Sequence, residues 1–266
     1  MTEKGSLPYF WARLRRYCQR RAATLLFSRP FVISTPRPII SFTFDDFPKS
    51  ALMIGGAILN RFGLSGTYYV SLGLAGQETP SGRMFAADDL KGVLDRGHEL
   101  GCHTFSHCHA WDTATDAFVC SIVENRVALS NLLPGTEFKT FSYPISFPRP
   151  LSKSRIADQF SCCRGGGQTF NVGTSDLNLL SAYFLEKSRH SVQAVRDLID
   201  RNRQARGWLI FATHDIADDP TPFGCTPEFF QDVVGCASRS GATILPVNRA
   251  LEVLQSVDCG KTTTLE

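Results

Sequence analysis

The residues best suited to catalysis stand where apolar segments of this chain end. The run Ile40–Phe44 is β-branched and aromatic, and two adjacent carboxylates follow it, Asp45 and Asp46. Two neighbouring negative charges at the rim of a core repel each other, so a cation is expected to compensate them. His103 and His107, in the segment GCHTFSHCH, face the same way if that segment enters a helical turn.

Two imidazoles and one carboxylate make a set of three protein ligands that leaves positions open on a divalent ion. Such an ion polarises a carbonyl oxygen and activates water near neutral pH. The second carboxylate of the Asp45–Asp46 pair is then expected to act as a general base. Taken alone, the His103–His107 pair is more simply interpreted as part of a surface helix, but a strand-terminal Asp-Asp in the same chain favours a ligand cluster.

Short β-rich segments alternate with helical patterns along the chain. The predicted strands are Ile39–Phe44, Thr67–Leu72, residues 98–103, residues 139–144, Ser161–Arg164, Leu180–Leu185, residues 208–214 and Thr243–Leu245. The predicted helices are Ala51–Phe62, Ala86–Arg96, Thr115–Leu133, Leu151–Phe160, Val192–Arg206, Pro227–Arg239 and Asn248–Gln255. This alternation predicts an α/β fold with a parallel sheet, and the number of units favours a barrel. The Gly-rich loop Gly165–Asn178 is long enough to indicate a functional or mobile segment.

Parallel barrels place their sites at the carboxyl ends of the strands. The residues there are Asp45 and Asp46, His103, Tyr143 and His214. We therefore expect them at one rim, with His214 opposite the aspartates as a candidate general acid. The simpler interpretation of His214 is an end-of-strand histidine bonded to a backbone carbonyl.

Composition limits the classes of function. The chain has 266 residues, 43% of them apolar, and a formal net charge of +3, which is too small to indicate a nucleic-acid partner. Its nine cysteines are odd in number and form no C-x-x-C pair, so a reducing cytoplasm is predicted rather than a disulfide framework. No apolar run is long enough to span a bilayer.

The first 37 residues are predicted to be a basic helical extension, followed by one catalytic domain over 38–258 and a tail over 259–266. Between Trp11 and Leu26, five arginines alternate with aromatic and aliphatic residues. This pattern has neither the apolar core nor the cleavage site of a signal peptide. The extension either packs against the domain, which is the simpler interpretation, or lies on an anionic membrane surface.

The segments TFDD, GHELGCHTFSH, FSYP and FATHD together resemble the polysaccharide deacetylase family (carbohydrate esterase family 4, the NodB-homology domain). The resemblance runs from about Pro38 to about Leu254. It implies a distorted (β/α) barrel with about seven parallel strands, and hydrolysis of acetyl groups on sugars. It implies these roles: Asp45 as catalytic base, Asp46, His103 and His107 as metal ligands, Tyr143 as donor of a backbone N–H to the oxyanion, and His214 as general acid.

Two positions depart from the pattern of that family. Phe47 stands in place of the usual glycine and is expected to narrow the substrate groove or to stack on a sugar. Ser142 precedes Tyr143 where an arginine that orients the base is usual. Arg164 is the candidate replacement, although a surface arginine before a Gly-rich loop is an equally simple interpretation.

The resulting hypothesis is a metal-dependent hydrolase that removes acetyl groups, N-acetyl above all, from a precursor or component of a bacterial surface glycan. Zn²⁺ is the expected ion, with Co²⁺ and Ni²⁺ compatible with the same ligands. The expected substrate is an acetylated sugar, or a lipid-linked or nucleotide-linked saccharide, met in the cytoplasm or at the inner membrane. The alternatives are a hydrolase of small non-peptide amides, as in allantoinase-like relatives, and a silent glycan-binding barrel.

Several other residues are interpreted as structural. His98, Glu99, Cys102, Cys108 and Trp208 are predicted to pack rather than react. His109 is out of phase with the ligand pair, and Trp111 is the tryptophan predicted to line a sugar groove.

Overall fold

The structure is a computed structural model and describes residues 7–145 and 147–262. Its centre is a parallel sheet that curls into a distorted barrel. Its strands are β2 (Ile39–Asp46), β3 (Thr67–Val70), β6 (Glu99–Cys102), β7 (Thr140–Ser142), β8 (Cys162–Arg164), β10 (Tyr183–Phe184), β11 (Trp208–Thr213) and β12 (Thr243–Ile244). Seven of them follow one another in the order β10-β11-β2-β3-β6-β7-β8, and β12 pairs with the start of β2. An isolated parallel bridge between Arg164 and Leu180 joins the last strand to the segment that leads into β10. The predicted α/β barrel with about seven parallel strands is confirmed.

Helices surround the sheet and connect its strands. They are α1 (Leu7–Leu25), α2 (Ala57–Arg61), α3 (Ala87–Asp95), α4 (Thr115–Leu132), α5 (Pro150–Ile156), α6 (Val192–Ala205), α7 (Pro227–Arg239) and α8 (Val247–Thr262). The π-helical segment Ala51–Gly56 leads into α2, and short 3₁₀ turns occupy Leu72–Leu74 and Leu185–Ser188. No helix among the described residues combines the length and the apolar composition needed to cross a bilayer.

Two small antiparallel ribbons complete the described strands. β1 (Pro30–Ile33) pairs with β9 (Gly173–Asp176), and β4 (Glu78–Thr79) pairs with β5 (Gly82–Arg83). The first ribbon ties the N-terminal region to the Gly-rich loop, so part of that loop is a strand. At the other end of the chain, α8 continues through the predicted boundary at residue 258, while residues 263–266 of the predicted tail lie outside the described part.

The segment after β2 differs from the single α-helix predicted over Ala51–Phe62, because its first half is π-helical. Gly55 and Gly56 lie there against the rings of Phe44 and Tyr68, and a Cβ at either glycine would come within 2.8 Å of them. Close approach to the sheet therefore requires glycine at these two positions.

β2 is the central strand, and every residue in it is buried. β11 pairs along most of its length on one side, and β3 pairs with its second half on the other. A strand buried on both faces needs a continuous apolar run rather than alternation, which explains the composition of Ile39–Phe44. Trp208 is fully buried, as predicted, and its Nε1 donates to Ser41 Oγ at 2.9 Å. β2 thus carries Asp45 and Asp46 to the rim of the barrel on a strand that is buried along its whole length.

His98 has the structural role predicted for it. Its Nδ1 accepts a hydrogen bond from the Gly66 backbone N–H at 3.0 Å, and its ring lies edge-on to Tyr68. Burial lowers the pKa of His98 to about 4. The imidazole is therefore neutral in the folded protein at pH values at which it is protonated in the unfolded chain.

We predict that His98 makes the protein less stable in acid. Between the unfolded pKa of about 6.5 and the folded pKa, the unfolded chain binds the extra proton, so the free energy of unfolding falls as the pH falls. The effect is on the order of 3 kcal/mol at most. Urea unfolding of the wild type and of His98→Gln, from neutral pH to pH about 4, should show a shallower pH slope in the variant. The exposed His190→Gln should keep the wild-type slope, and an equal slope in His98→Gln would contradict the assignment.

Candidate active site

Three side chains converge at the carboxyl ends of β2 and β6. Asp46 is the last residue of β2, His103 follows β6, and His107 lies four residues further along the same loop, which is irregular and not the predicted helical turn. Oδ1 of Asp46 is 3.0 Å from Nε2 of His107 and 3.5 Å from Nε2 of His103. One ligand atom from each residue fits within 4.8 Å of the others. The loops are bent to achieve this, since Asp46, Phe47, Thr104 and His107 all have positive φ values between 51° and 64°.

The protonation state of His103 shows why these atoms suit a cation. Burial lowers the pKa of His103 to about 4, so its ring is neutral at physiological pH and carries one N–H. Nδ1 lies 2.7 Å from the carbonyl oxygen of Ser142 and donates to it. Nε2 therefore turns a lone pair toward the carboxylate of Asp46. The buried Oδ1 of Asp46 has no hydrogen-bond partner among the described residues, so two electron-rich atoms face each other as they do around a metal ion.

The other oxygen of Asp46 is fixed by a residue that nothing in the sequence singled out. Ser81, in the turn of the β4–β5 ribbon, donates its hydroxyl to Oδ2 at 2.9 Å. Burial by itself would raise the pKa of Asp46, but the imidazoles of His107 and His103 outweigh burial and hold that pKa well below its usual range. Burial would lower the pKa of His107, and contact with Asp46 raises it instead. The residues present fit a divalent ion bound by one carboxylate and two imidazoles.

Asp45 points to a different partner. Arg164, at the end of β8, donates from its guanidinium to Oδ1 of Asp45. Its side chain is only 1% exposed, and its guanidinium lies 4.7 Å from the ring centroid of Tyr69 and 5.7 Å from that of Phe184. The interpretation of Arg164 as a surface arginine is therefore wrong. The pair compensates the charge of Asp45 from within the protein and fixes the direction of its carboxylate.

The role predicted for the Tyr143 backbone is not compatible with the structure. Its N–H donates to the carbonyl oxygen of Arg164 at 2.9 Å, because the β7–β8 ladder continues past Ser142. An amide already bonded in a sheet is not available to an oxyanion, so that prediction is wrong. The Tyr143 hydroxyl donates to the Asn178 carbonyl at 3.2 Å, and its side chain forms part of the cleft wall. Ile145, with a φ of 67°, lines the cleft two residues further on.

His214 follows β11, which pairs directly with β2, so it lies beside the aspartates in strand order and not opposite them as predicted. Its Nδ1 lies 3.2 Å from the carbonyl oxygen of Phe223. The ring is stacked 6.2 Å from Phe184 and lies 5.5 Å from Phe223 between centroids. The histidine is thus bonded to a backbone carbonyl, as in the simpler interpretation, and also faces the cleft. Nε2 has no hydrogen-bond partner in the part of the chain that the structure describes.

These groups share one cleft of about 540 Å³. It is lined by Asp45, Asp46, His103, His107 and His214 together with the aromatic rings of Tyr143, Phe147, Phe184 and Phe223. Arg16 and Lys187 add positive charge, and Glu186 adds a carboxyl whose pKa is raised by burial. Sequence reasoning missed Phe184 and Phe223. The available signal was that Phe184 ends β10 and Phe223 lies in the loop after β11, because barrel sites are built from the loops that follow strands.

Two other predictions about the cleft are wrong. Phe47 is fully buried and stacks on Phe85 with 4.9 Å between ring centroids, so it cannot contact a sugar. Its positive φ turns the side chain into the core instead of the groove. Trp111 does not line the cleft and packs instead against α1. With the amide oxygen of Gln19 turned toward it, Trp111 donates its Nε1 to that oxygen at 2.9 Å.

The neighbouring polar residues stay outside the cluster. Nδ1 of His109 accepts from the backbone N–H groups of Trp111 and Asp112 at 3.3 and 3.2 Å. Cys102 is buried and its sulfur accepts from Asn125, while Cys108 is half-buried. These contacts agree with the structural roles predicted for the cysteines.

We predict that divalent-metal binding depends on His103 and His107 and not on His109. Zn²⁺ should raise the melting temperature of the wild-type protein, because a ligand that binds only the folded state stabilises it. The shift should disappear in His103→Ala and in His107→Ala, and metal analysis after dialysis should find no bound ion. His109→Ala is the matched control and should keep both. An unchanged zinc shift in His107→Ala would contradict the cluster.

The sequence model of the family described as polysaccharide deacetylase matches residues 33–157, and a search of curated proteins finds no match. The peptidoglycan deacetylase PdaC from Bacillus subtilis is similar in structure, with a TM-score of 0.58 at 16% identity, over 86% of this chain and 96% of that chain. A family 4 acetyl xylan esterase from Clostridium thermocellum, in complex with a cobalt ion, has a TM-score of 0.54 at 19% identity, over 82% and 92%.

A third similar structure shows that the fold by itself does not establish an activity. It is a pseudoenzyme of carbohydrate esterase family 4 from Bacillus anthracis, with a TM-score of 0.57 at 13% identity, over 82% of this chain and 66% of that chain. At such identities the likeness shows a shared fold. Activity must therefore be argued from the residues in the cleft.

Proposed function

Since the chain belongs to the polysaccharide deacetylase family, a family of hydrolases that remove acetyl groups from carbohydrates, we propose that it is a metal-dependent deacetylase acting on an acetylated amino sugar. One observation carries the proposal. A guanidinium-paired carboxylate, Asp45, adjoins the Asp46–His103–His107 cluster in a single cleft, and His214 faces them. A protein that only bound glycans would need neither the carboxylate base nor the facing imidazole.

The two aspartates have different proposed roles because their side chains contact different residues. Asp46, His103 and His107 would hold a divalent ion, which when bound would supply a Lewis acid that polarises the acetyl carbonyl. Asp45 is bonded to Arg164 and is not part of the ligand cluster. Its carboxylate is free to accept a proton from a water molecule held in the cleft. Arg164 holds the carboxylate in one orientation as that proton moves.

The reaction then needs an acid that gives a proton to the leaving nitrogen of the substrate. As the water oxygen bonds to the acetyl carbon, its proton passes to Asp45, and the carbon–nitrogen bond breaks when the amine receives a proton. His214 can give that proton from Nε2, because Nδ1 is turned to the Phe223 carbonyl. The products are acetate and a free amino sugar. A neutral leaving amine is a far better leaving group than an amide anion, which is why a positioned acid accelerates the step.

The shape of the cleft suits a saccharide. Phe184 and Phe223 flank His214, and Phe147 lies in the same wall, so rings are available to stack on the apolar faces of sugar units. The cations of Arg16 and Lys187 at the same cleft favour a substrate that also carries an anionic group. Both features support a lipid-linked or nucleotide-linked precursor of a bacterial surface glycan as the substrate.

A cytoplasmic location is part of the same proposal. Eight cysteines with described side chains are free thiols, including the adjacent buried pair Cys162 and Cys163. Free thiols in this number fit a reducing compartment. Cell fractionation tests the location independently of the activity.

We predict that Asp45→Asn abolishes turnover while the bound ion is retained. The amide cannot accept the proton of water, and loss of a general base costs about 10²–10⁴-fold in rate. The measurement is acetate release from a panel of N-acetylated and O-acetylated saccharides, together with ring opening of small cyclic amides, with metal analysis of the same samples. EDTA should abolish the wild-type rate, and added Zn²⁺ should restore it.

The same panel distinguishes the alternatives. Acetate release from acetylated saccharides supports the proposal. Turnover of the cyclic amides alone would assign the allantoinase-like reaction, and binding of saccharides with no release in wild type would assign a silent glycan-binding barrel.

Arg164 is predicted to act as a positioning residue. Arg164→Lys keeps a positive charge but loses the planar fork that orients Asp45. We expect kcat to fall about 10–100-fold, as for other residues that orient a reactive group, with KM and metal content unchanged. KM should stay constant because Arg164 does not line the cleft. A variant with wild-type kcat would remove Arg164 from the reaction, and thermal unfolding would show whether a loss of rate is only a loss of folded protein.

A further inference from the structure

The side of α1 that faces solvent is apolar and aromatic. Phe10, Trp11, Leu14 and Tyr17 are 58%, 60%, 40% and 56% exposed. Positions 10, 14 and 17 fall on one face of a helix, and Trp11 contacts Phe10 edge-on with 5.7 Å between ring centroids. Leu25 continues this strip at the end of the helix and is also exposed. We call these five residues the outer face of α1. A surface helix normally turns such a stripe toward the core, so the arrangement is the reverse of the usual one.

The opposite side of the helix anchors it to the barrel. Gln19 and Ala23 are buried, and Gln19 is bonded to Trp111 as described above. Lys153 of α5 is fully buried and donates to the carbonyl oxygens of Ala23 at 2.7 Å and Leu26 at 2.9 Å. A cation at the carboxyl end of a helix also favours its dipole. The outer face is therefore exposed because the packing of α1 holds it outward.

The charge of α1 indicates what covers the outer face. The helix contains five arginines and no acidic residue. Arg15 is paired with Asp112 at 2.5 Å. Arg13 and Arg20 lie beside the outer face in the helical projection, and Arg21 lies within it, with its guanidinium 5.4 Å from the ring centroid of Tyr17. Arginine beside a strip of Trp, Phe, Tyr and Leu on a helix of low overall hydrophobicity is the composition of helices that lie in a membrane interface.

A second copy of this chain is a poorer occupant. A two-fold contact through the outer face would bring the arginines of both copies together with no acidic side chain of α1 to compensate them. A negatively charged lipid surface provides both compensating charge and an apolar layer.

The geometry points to α1 as a docking surface for an anionic lipid bilayer. The outer face enters the headgroup region, and the flanking arginines bind lipid phosphates. Arg16 on the same helix lines the cleft, so the docked protein holds its cleft beside the bilayer. The docking rests on the surface of α1 alone and does not depend on the proposed reaction.

The test is vesicle binding by the full chain, with no activity measurement. We expect sedimentation with vesicles of phosphatidylcholine and phosphatidylglycerol, little binding to phosphatidylcholine alone, and weaker binding as salt is raised. The variant Trp11→Ser/Leu14→Ser/Tyr17→Ser should bind at least about a hundredfold more weakly, because each exposed side chain loses its burial in the interface. Val123→Ser/Val127→Ser removes exposed apolar residues of α4 and is the matched control that should bind as wild type.

Tryptophan fluorescence gives a second readout. Anionic vesicles should shift the emission to shorter wavelength, and the shift should be lost in Trp11→Ser, since Trp208 is already fully buried and Trp111 is bonded to Gln19 on the inner side of α1. Equal binding with and without phosphatidylglycerol, or unchanged binding by the triple variant, would overturn the docking. So would a dimer in sedimentation velocity that the triple variant dissociates, which would assign the outer face to a second copy.

Discussion

Two adjacent buried carboxylates at the end of the central strand dominate this structure. Asp45 and Asp46 stand side by side at the rim of the core, where neither solvent nor distance relieves their repulsion. The molecule compensates them from opposite sides, with Arg164 on Asp45 and with two imidazoles and a serine hydroxyl around Asp46. Because a buried charge without a partner is costly, the positions of β6, β8 and the β4–β5 ribbon are tied to that pair.

This division also gives the two carboxylates different chemistry. A carboxylate that shares its site with two imidazoles suits a cation, whereas one bonded to a guanidinium keeps its remaining oxygen for proton transfer. The aromatic environment supports the second arrangement, since Arg164 lies between the rings of Tyr69 and Phe184. Phe184 in turn stacks on His214. One layer of side chains therefore connects the proposed base to the proposed acid.

The cleft is also connected to the outside of the molecule through α1. That helix supplies Arg16 to the cleft, and its buried side packs on the loop that follows the ligand histidines. The family model matches residues 33–157 only, so α1, Arg164 and His214 lie outside the matched region. Arg16, Arg164 and His214 thus reach the cleft from segments that only the folded structure places beside the matched part.

The sequence alone was sufficient for the barrel and for Asp46, His103 and His107 as one group. Apolar runs, helical periodicity and strand-terminal polar residues are local signals, and parallel strands bring their ends to one rim whatever the loops do. The direction of individual groups depended on tertiary structure. Phe47 turned inward because of a positive φ, the Tyr143 amide was taken by the neighbouring strand, and Arg164 proved to be buried. Which way a side chain or an amide points is decided by partners distant in sequence, and neither composition nor spacing records those partners.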